Sequence, residues 1–519
     1  MANKSVFATM AGKLLPRTDT RNHEGAQAYS LSPRQALAQL AATGTFNATF
    51  YAGAREQLTE VLELAWQVEP EFLAKTAVFA FERGYMKDMP ALLLAVLSCL
   101  HGDEFGRAFP RIVRNGRMLR NFVQVMRSGA TGRKSLGTRP KRFVQAWLEQ
   151  ASDVEIMRAA VGNEPSLADV IKMVHPKPTS AARAALYGYL IGKPHDVLAL
   201  PELVKAFEAF KRDPSLPVPA VPFQMLTALP LTREHWVAIA ETAGWQMLRQ
   251  NLNSFARNGV FEVEGFAERL ARRLRNPDEI RRARVFPYQL MVAFTTADAA
   301  VPKVVKEALQ DAMDVALANV PAIDGRIVVC PDVSGSMSSP VTGHRQSATS
   351  KVRCIDVAAL VAAAFLRANR TARVLPFEQA VVEIDLNPRD AVMTNAARLA
   401  AIGGGGTNCS APLERLAQEQ AKVDLVVFVS DNQSWVDATA HAHQGTATMQ
   451  AWNKVKLSNP QAKLVCIDIQ PTTTTQAKGQ ADILNVGGFS DQVFEVIATM
   501  ARAETGADHW VEQIEAITV

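Results

Sequence analysis

Apolar side chains recur at helical spacing along the first three-fifths of the chain. One example is a helix face between residues 56 and 68, formed by Leu58, Val61, Leu62, Ala65 and Val68. Similar runs continue to about residue 320, separated by Pro or Gly, and strand-like alternation is rare among them. Residues 91–100 are apolar on every side, which predicts a buried central helix. The pattern predicts an all-α, HEAT-like helical-repeat domain over residues 1–320.

The pattern changes near residue 321, where short Val/Ile-rich runs begin to alternate with helical ones. This alternation is typical of a doubly wound parallel α/β sheet, and it predicts a second domain over residues 321–519. The predicted strands are residues 326–330, 372–377, 381–386, 425–429, 464–469 and 483–486. The predicted helices are residues 355–369, 390–401, 411–422, 448–457 and 491–503.

Length and composition agree with a multidomain globular protein. The chain has 519 residues, which is too many for one ordinary core. Of these residues, 48% are hydrophobic and 21% are charged, as in globular proteins. It has no apolar run long enough for a membrane span, and the first residues lack an apolar export core. The five cysteines form no CxxC pair, so we expect buried free thiols and a cytoplasmic protein.

Charge is distributed unevenly between the two parts. Residues 1–320 hold 40 Lys and Arg against 31 Asp and Glu, whereas residues 321–519 hold 16 against 20. The net charge of +5 therefore combines a basic part with an acidic part. Such a division suggests that the first part meets an anionic polymer and the second does not.

Three short runs after predicted strands supply oxygen ligands. Asp332, Ser334 and Ser336 lie in the first, Thr407 follows four glycines, and Asp431 ends the third. Carboxylates and hydroxyls at the carboxyl ends of parallel strands suit a hard divalent cation, so we predict a Mg²⁺ site with a coordination position open to an acidic protein ligand. The alternative is a simple turn with a helix cap. A phosphate loop is excluded, because Asn408 stands where Gly-Lys-Ser/Thr would be needed.

The basic side chains of the first part gather in two clusters. The segment from residue 105 to residue 148 contains no acid, so we predict that it contacts phosphates. Its members are Arg107, Arg111, Arg114, Arg117, Arg120, Arg127, Arg133, Lys134, Arg139, Lys141 and Arg142. The second cluster is mixed with acids, and we expect a solvated face there. It consists of Arg269, Arg272, Arg273, Arg275, Arg281, Arg282 and Arg284.

A short helix between these clusters ends in a basic group. Ser166 is a candidate N-cap with Asp169 completing a capping box, and a proline after His175 would end the helix. Lys172, His175 and Lys177 then gather at the helix C-terminus. The histidine would either cap the last carbonyl groups or bind a ligand.

Five segments resemble the TROVE module, the RNA-binding domain of the Ro 60 kDa autoantigen family and its bacterial Ro-like members. They are LPRTDTRNHEGA (15–26), MRSGATGRKSLG (126–137), DVIKMVHPKP (169–178), LRQNLNSFARNGVF (248–261) and RVFPYQLMVAF (284–294). The oxygen-rich runs resemble the metal-ion-dependent adhesion site of a von Willebrand factor A domain. Ro family proteins carry these two domains in the same order.

The resemblance implies a ring of helical repeats that binds small noncoding Y-like RNA and admits single-stranded ends of defective RNA. It further implies a role in RNA quality control, with an exoribonuclease as partner in bacterial relatives. His175 matches the histidine of the family's helix-ending motif, and Lys172 and the run 133–142 match its basic surface approximately. Between Lys141 and Ser166 the chain departs from animal members, being shorter and more acidic.

We therefore predict a non-enzymatic RNA-binding protein. The predicted RNA-contacting residues are Arg127, Arg133, Lys134, Arg139, Lys141, Arg142, Lys172, His175 and Lys177. One alternative is a protein-interaction scaffold whose metal recruits an acidic partner. Another is a metal-dependent hydrolase acting on RNA, although no nucleophile–base pair is recognisable in the sequence.

Overall fold

The computed structural model describes residues 15–43, 46–283, 285, 287–317, 322–344, 351–369, 371–439, 445–488, 492–502 and 508–519. The described chain forms two compact units. The first is assembled from three segments, Met1–Leu64, Leu270–Ala297 and Lys303–Ala516. The second contains Ala65–Arg269, Asp298–Pro302 and Ile517–Val519. The predicted domain boundary at residues 320/321 lies outside the described residues and stays a prediction.

Helices dominate the chain up to residue 317. They are α1 (Pro33–Thr43), α2 (Ala54–Gln67), α3 (Pro70–Glu82), α4 (Asp88–Leu97), α5 (Glu104–Ile112), α6 (Gly116–Ser128), α7 (Thr138–Gln150), α8 (Asp153–Ala159), α9 (Leu167–Val174), α10 (Ala181–Ile191), α11 (Glu202–Arg212), α12 (Phe223–Leu226), α13 (Arg233–Thr242), α14 (Trp245–Gln250), α15 (Leu252–Arg257), α16 (Phe266–Leu274), α17 (Pro277–Ala283), α18 (Pro287–Thr296) and α19 (Lys303–Leu317). A 3-10 turn covers Val260–Glu262. The helical prediction for this region is confirmed.

The described strands lie near the N-terminus and after residue 326. They are β1 (Thr20–Arg21), β2 (Gln27–Ser30), β3 (Ile327–Pro331), β4 (Arg373–Val374), β5 (Leu425–Ser430), β6 (Lys463–Asp468), β7 (Thr474–Thr475) and β8 (Ile483–Gly487). The later helices are α20 (Cys354–Ala368), α21 (Val392–Ala400), α22 (Ala411–Gln418), α23 (Ala447–Ser458), α24 (Gln492–Ala501) and α25 (His509–Glu515), with 3-10 turns at Gly335–Ser338 and Val436–Thr439.

The first unit is built on a five-stranded parallel sheet with the order β4-β3-β5-β6-β8. Side chains alternate between its faces, so Val328 and Phe428 pack with Trp452 of α23 on one side. Helix α20 packs against β3 and β5, and its Phe365 meets Phe494 of α24 at a ring distance of 5.4 Å. Helices thus cover both faces, and the doubly wound prediction is confirmed.

A small antiparallel sheet joins distant parts of the first unit. Strand β1 pairs with β2, and β2 pairs with β7 through Tyr29 and Thr475. The Tyr29 side chain is fully buried in the same hydrophobic core as the parallel sheet. The N-terminal hairpin therefore belongs to the α/β core, which the hydrophobic pattern does not indicate.

The second unit consists of helices that pack against their neighbours in the chain. Helix α3 contacts α4 and α5, α4 contacts α6, and both α6 and α7 contact α9. The predicted buried helix corresponds to α4, whose residues from Met89 to Leu97 are all buried. Phe105, Phe109, Phe122 and Phe143 form an aromatic cluster with ring distances from 5.2 to 5.9 Å.

One predicted strand is wrong. Residues 381–386 form no strand, and only an isolated bridge joins Phe377 to Val381. Strand β4 is already the edge of the sheet, and Val382 donates its N–H back to Pro376 O (2.8 Å), so the chain turns on itself there. The alternating Val, Glu and Asp side chains are at most half-buried and have no neighbouring strand to pair with.

Candidate metal centre and nucleic-acid interface

The predicted metal ligands meet at the carboxyl edge of the parallel sheet. Asp332 follows β3 and Asp431 follows β5, and these strands are direct neighbours with Pro331 opposite Val429. The N–H of Asp332 donates to Val429 O (2.9 Å), which holds the chain in line with the strand. Adjacent parallel strands therefore place both carboxylates at one edge, where ligands of such sheets bind.

Short hydrogen bonds connect the three predicted hydroxyl ligands to Asp332. The Ser334 N–H donates to Asp332 Oδ1 (2.9 Å), and the Thr407 hydroxyl donates to Ser334 Oγ (2.9 Å). The Ser334 and Ser336 hydroxyl oxygens are 3.3 Å apart. Ser430, which the sequence analysis does not include, donates to Asp332 Oδ2 (2.6 Å). The structure thus brings the five predicted ligands together.

The glycine run brings Thr407 to this site by a close backbone approach. Gly404 donates its N–H to Val333 O (3.1 Å), and Gly335 donates to Gly405 O (3.0 Å). Gly404 and Gly405 have φ angles of +140° and +64°, which L side chains rarely adopt. A β-carbon on Gly405 would lie 2.1 Å from Glu378 Oε2, so a larger residue would have to displace that side chain as well as adopt the positive φ angle.

The carboxylates of this site are buried together. Burial, reinforced by the charge of Asp332, raises the pKa of Asp431 to about 7. Burial likewise raises the pKa of Asp332, although hydrogen bonds from Ser334 and Ser430 oppose the shift. Neither carboxylate has an ion-pair partner within the described ranges. A cation placed between them would reverse this penalty.

Asp468 is a third carboxylate at this edge, which the sequence analysis missed. It ends β6, the strand beside β5, and lies opposite Ser430. Burial and the charge of Asp431 raise its pKa well above the ordinary value. Its Oδ1 atom is buried and accepts no hydrogen bond from the described chain. One feature of the sequence could have indicated this: Asp468 lies near the end of a predicted strand, as Asp332 and Asp431 do.

This donor set fits a hard divalent cation. In the described part of the chain, no three His, Cys, Asp or Glu side chains are clustered as metal ligands, so the donors are hydroxyls as much as carboxylates. Mg²⁺ is commonly held by one or two carboxylates and keeps further positions for other oxygens. The five predicted ligands are at most 8% exposed, so an external ligand reaches them only if the covering chain moves.

The predicted RNA-contacting residues lie on three neighbouring helices of the second unit and in the loops that adjoin them. Arg127 ends α6, Lys141 and Arg142 lie on α7, and Lys172 lies on α9. Both α6 and α7 pack against α9. Gln145, on the next turn of α7, donates to the carbonyl oxygen of Val174 (2.5 Å) at the end of α9. We call these residues, with Arg133, Lys134, Arg139, His175 and Lys177, the α6–α7–α9 surface.

His175 ends α9 in an unusual backbone conformation. Its φ and ψ of 51° and 63° are left-handed, and its N–H donates to Ile171 O (2.9 Å). The predicted capping box of Ser166 and Asp169 is present at the other end of the helix. The imidazole ring is exposed and makes no hydrogen bond within the described residues. The backbone therefore caps the helix and the ring is available to a ligand.

Most cations of the α6–α7–α9 surface have no acidic partner within the described residues. Arg127, Lys134, Arg142, Lys172 and Lys177 are exposed and form no ion pair there. Two members make neutral contacts instead. The Arg139 guanidinium lies 5.3 Å from the centre of the Phe105 ring, and Arg133 donates to Ser98 O (3.4 Å). The surface keeps its positive charge.

Three further arginines of the acid-free segment pair with carboxylates outside it, and their phosphate contacts stay a prediction. Arg107 pairs with Glu71 (2.7 Å), while Arg111 and Arg114 both pair with Glu82 (2.6 and 2.5 Å). Helices α5 and α6 break between Ile112 and Gly116, which separates this group from Arg127. Acidic side chains from other segments therefore lie next to arginines of a segment that itself contains no acid.

The second arginine cluster is mostly ion-paired, in agreement with a solvated face. Its pairs are Arg269 with Glu241, Arg273 with Glu279, Arg275 with Asp311 and Arg281 with Asp278. Arg272 and Arg282 are exposed. Arg284 lies outside the described residues.

Two family models match the chain. The model of the TROVE domain matches residues 224–375, and that of the Ro60 vWA domain matches residues 326–501. The predicted RNA-contacting residues 127–177 precede both ranges. A curated protein of Deinococcus radiodurans, named RNA-binding protein RO60, is 26% identical over 94% of this chain and 96% of its own length.

The fold also resembles a solved one. The crystal structure of the Deinococcus radiodurans Ro (Rsr) protein aligns with a TM-score of 0.62 and 23% identity, over 91% of this chain and 100% of that chain. The likeness confirms the predicted combination of a helical-repeat part with an A-type α/β part. Among the helices that the structure describes, none is long and apolar enough to cross a membrane.

Proposed function

We propose that this chain, which matches the models of the TROVE domain and of the Ro60 vWA domain, is a Ro-like protein that binds RNA through the α6–α7–α9 surface. The observation that carries the proposal is the set of exposed cations that form no ion pair in the described chain and lie on or next to the packed helices α6, α7 and α9. Arg and Lys contacts to phosphates supply most of the affinity of such proteins, independently of base sequence.

His175 supplies a contact of a different kind. Its exposed ring stands between Lys172 and Lys177 at the C-terminus of α9. An imidazole there can contact a phosphate or hydrogen-bond a base edge or a 2′-hydroxyl. The histidine therefore provides specificity for structured RNA within a surface that otherwise reads only charge.

We propose small noncoding Y-like RNA as the structured ligand and single-stranded ends of defective RNA as a second ligand. The corresponding role is RNA quality control or processing, with an exoribonuclease as partner. These assignments follow the family resemblance of the motifs around residues 126–137 and 169–178. Crosslinking the protein in its host and sequencing the attached RNA tests them directly.

The A-type unit would hold Mg²⁺ or a similar cation between Asp332, Asp431 and the hydroxyls of Ser334, Ser336 and Thr407. Bound there, the cation supplies positive charge to buried carboxylates and a coordination position for another oxygen ligand. Such a position suits the carboxylate of an acidic protein partner. We propose docking, not catalysis, as its role.

Salt dependence distinguishes this function from its rivals. Fluorescence anisotropy with a structured small RNA, titrated from 50 to 200 mM KCl, should show affinity falling steeply as salt rises. A protein-interaction scaffold would bind RNA weakly and with little salt dependence. A metal-dependent hydrolase would shorten the RNA in Mg²⁺ over hours, which electrophoresis of the same samples would reveal.

A further inference from the structure

Three ring side chains near the N-terminus form an exposed cluster. The His23 and Tyr51 rings stack with a centroid distance of 5.7 Å and an angle of 24° between their planes. Phe50 meets Tyr51 edge-on, with a centroid distance of 4.8 Å. Phe50 is 55% exposed and His23 is exposed as well, whereas Tyr51, which contacts both, is half-buried. We call His23, Phe50 and Tyr51 the aromatic surface.

The hairpin that carries His23 is fixed by two hydrogen bonds to the loop after β5. The His23 N–H donates to Gln433 Oε1 (3.0 Å), and the neighbouring Asn22 side chain donates to Ser434 O (2.7 Å). The imidazole ring itself makes no hydrogen bond within the described residues. The backbone of the turn is therefore held in place while the ring is available to a ligand.

The segment that carries Phe50 is fixed in the same way. Asn47 donates from its side chain to Thr342 O (2.7 Å), and His344 donates its N–H to Ala48 O (2.6 Å). Both supports of the aromatic surface thus come from the first unit. Rings that are positioned before a ligand arrives lose little conformational entropy on binding, which favours affinity.

The exposed part of this cluster is aromatic and not broadly apolar. Among the described residues 15–43 and 46–64, no aliphatic side chain of the size of valine or larger is exposed. A stable interface with a folded protein requires a much larger apolar patch. A half-exposed phenyl ring beside an imidazole suits stacking with single planar groups, and every nucleobase has such a face.

The charges next to the aromatic surface attract phosphates only weakly. Arg21 lies two residues before His23, and Arg55 lies four residues after Tyr51. Both arginines are exposed and form no ion pair within the described ranges. Glu24, also exposed, offsets one of them. Stacking must therefore supply most of the affinity of any nucleic acid bound there.

We propose that the aromatic surface binds unpaired bases of single-stranded RNA. One base stacks on Phe50, and His23 stacks on or hydrogen-bonds a neighbouring base. The inference rests on the proposed function, because it takes RNA as the ligand, and it assigns a site to the single-stranded ends. That site belongs to the first unit, whereas the α6–α7–α9 surface belongs to the second.

The test measures the affinity of the full-length chain for a short oligoadenylate by fluorescence anisotropy. Phe50→Ala and His23→Ala each remove a ring, and Phe50→Leu keeps an apolar side chain without a flat π face. Leu457→Ala is the matched control, because it removes a 60% exposed apolar side chain from α23 of the same unit. Each variant is also made together with Lys134→Ala and Arg142→Ala, which removes competing phosphate contacts.

Phe50→Ala should weaken oligoadenylate binding by about 5-fold or more, and Phe50→Leu should weaken it nearly as much. His23→Ala should weaken it several-fold, and Leu457→Ala should leave it unchanged. The salt slope should be the same for Phe50→Ala and the wild type, because no charge is removed. Affinity for structured RNA should be unchanged in all four variants.

Photocrosslinking gives a second readout that does not depend on the folding of a variant. Single-stranded RNA containing 5-iodouridine is crosslinked to the wild-type chain, and mass spectrometry identifies the modified residues. Crosslinks at His23, Phe50 or Tyr51 are expected, since this chemistry favours rings stacked on the base. Crosslinks confined to the α6–α7–α9 surface would overturn the inference.

The outcomes separate the inference from the proposed function. If the wild type binds structured RNA but Phe50→Ala and His23→Ala bind oligoadenylate as the wild type does, the aromatic surface is refuted and the proposed function stands. If Phe50→Leu binds like the wild type, the surface is an apolar docking patch and stacking is refuted. If the wild type binds neither RNA, both ideas fall.

Discussion

Replacing Arg133, Lys134, Lys141 and Arg142 by Ala should weaken RNA binding and flatten its salt dependence. Each phosphate contact contributes about −0.9 to the slope of log K against log salt on duplex and about −0.7 on single strands. Four contacts therefore account for a slope of roughly 3 to 4. Between 50 and 200 mM salt, a slope of 3 corresponds to a change in affinity of about 60-fold.

The structure sets the lower limit of this effect. Arg133 is partly engaged with Ser98 O, and Lys141 is half-buried, whereas Lys134 and Arg142 are exposed. Two full contacts would still change the slope by roughly 1.5. The assay is fluorescence anisotropy of a structured small RNA at several salt concentrations.

The control for this prediction is a variant with the same change in net charge. It replaces Arg269, Arg272, Arg281 and Arg282 by Ala, on the largely ion-paired second cluster. The control should keep most of the wild-type slope. Equal slopes for both variants and the wild type would refute the assignment of the α6–α7–α9 surface.

Three further predictions concern single sites. Asp332→Ala with Ser334→Ala should abolish Mg²⁺ binding in calorimetry and leave RNA affinity intact; loss of RNA binding by the folded variant would contradict separate roles. Asn tolerates the positive φ angle of His175, so His175→Asn should weaken structured-RNA binding several-fold without lowering the melting temperature. A lower melting temperature with unchanged RNA affinity would instead indicate a capping role. Arg183→Ala should lower the free energy of unfolding in urea by about 3–5 kcal/mol, because a buried guanidinium bonds Leu148 O, Ala151 O and Asp153; a loss below about 1 kcal/mol would refute this.

The parts predictable from sequence were those encoded by neighbouring residues. Asp332, Ser334 and Ser336 lie within five positions and follow a strand, so their convergence follows from local geometry. The capping box of Ser166 and Asp169 has the same short range. Helical periodicity likewise indicated the repeats of the first part.

The features that the sequence did not predict depend on contacts between segments that are distant in the chain. Glu82 neutralises Arg111 and Arg114 from another helix, and no spacing rule connects them. Asp468 lies at the same sheet edge as Asp431 only because β6 lies beside β5. Asn22 reaches Ser434, 412 positions later in the chain, only because the N-terminal hairpin docks on the loop after β5. Sheet order and docking decide such proximities, and one sequence does not reveal them.

The pairing of β2 with β7 has a consequence for how the protein is made. Tyr29 cannot pair with Thr475 until that residue has been synthesised. A ribosome that adds about 5–20 residues per second reaches Thr475 roughly 20 to 90 s after Tyr29. During that interval the helices after residue 65 emerge and fold with near neighbours, while the hairpin has no sheet to join. Assembly of the α/β unit is therefore a late step, and a nascent chain stalled before residue 474 would expose to chaperones and proteases the edge of β2 that otherwise pairs with β7.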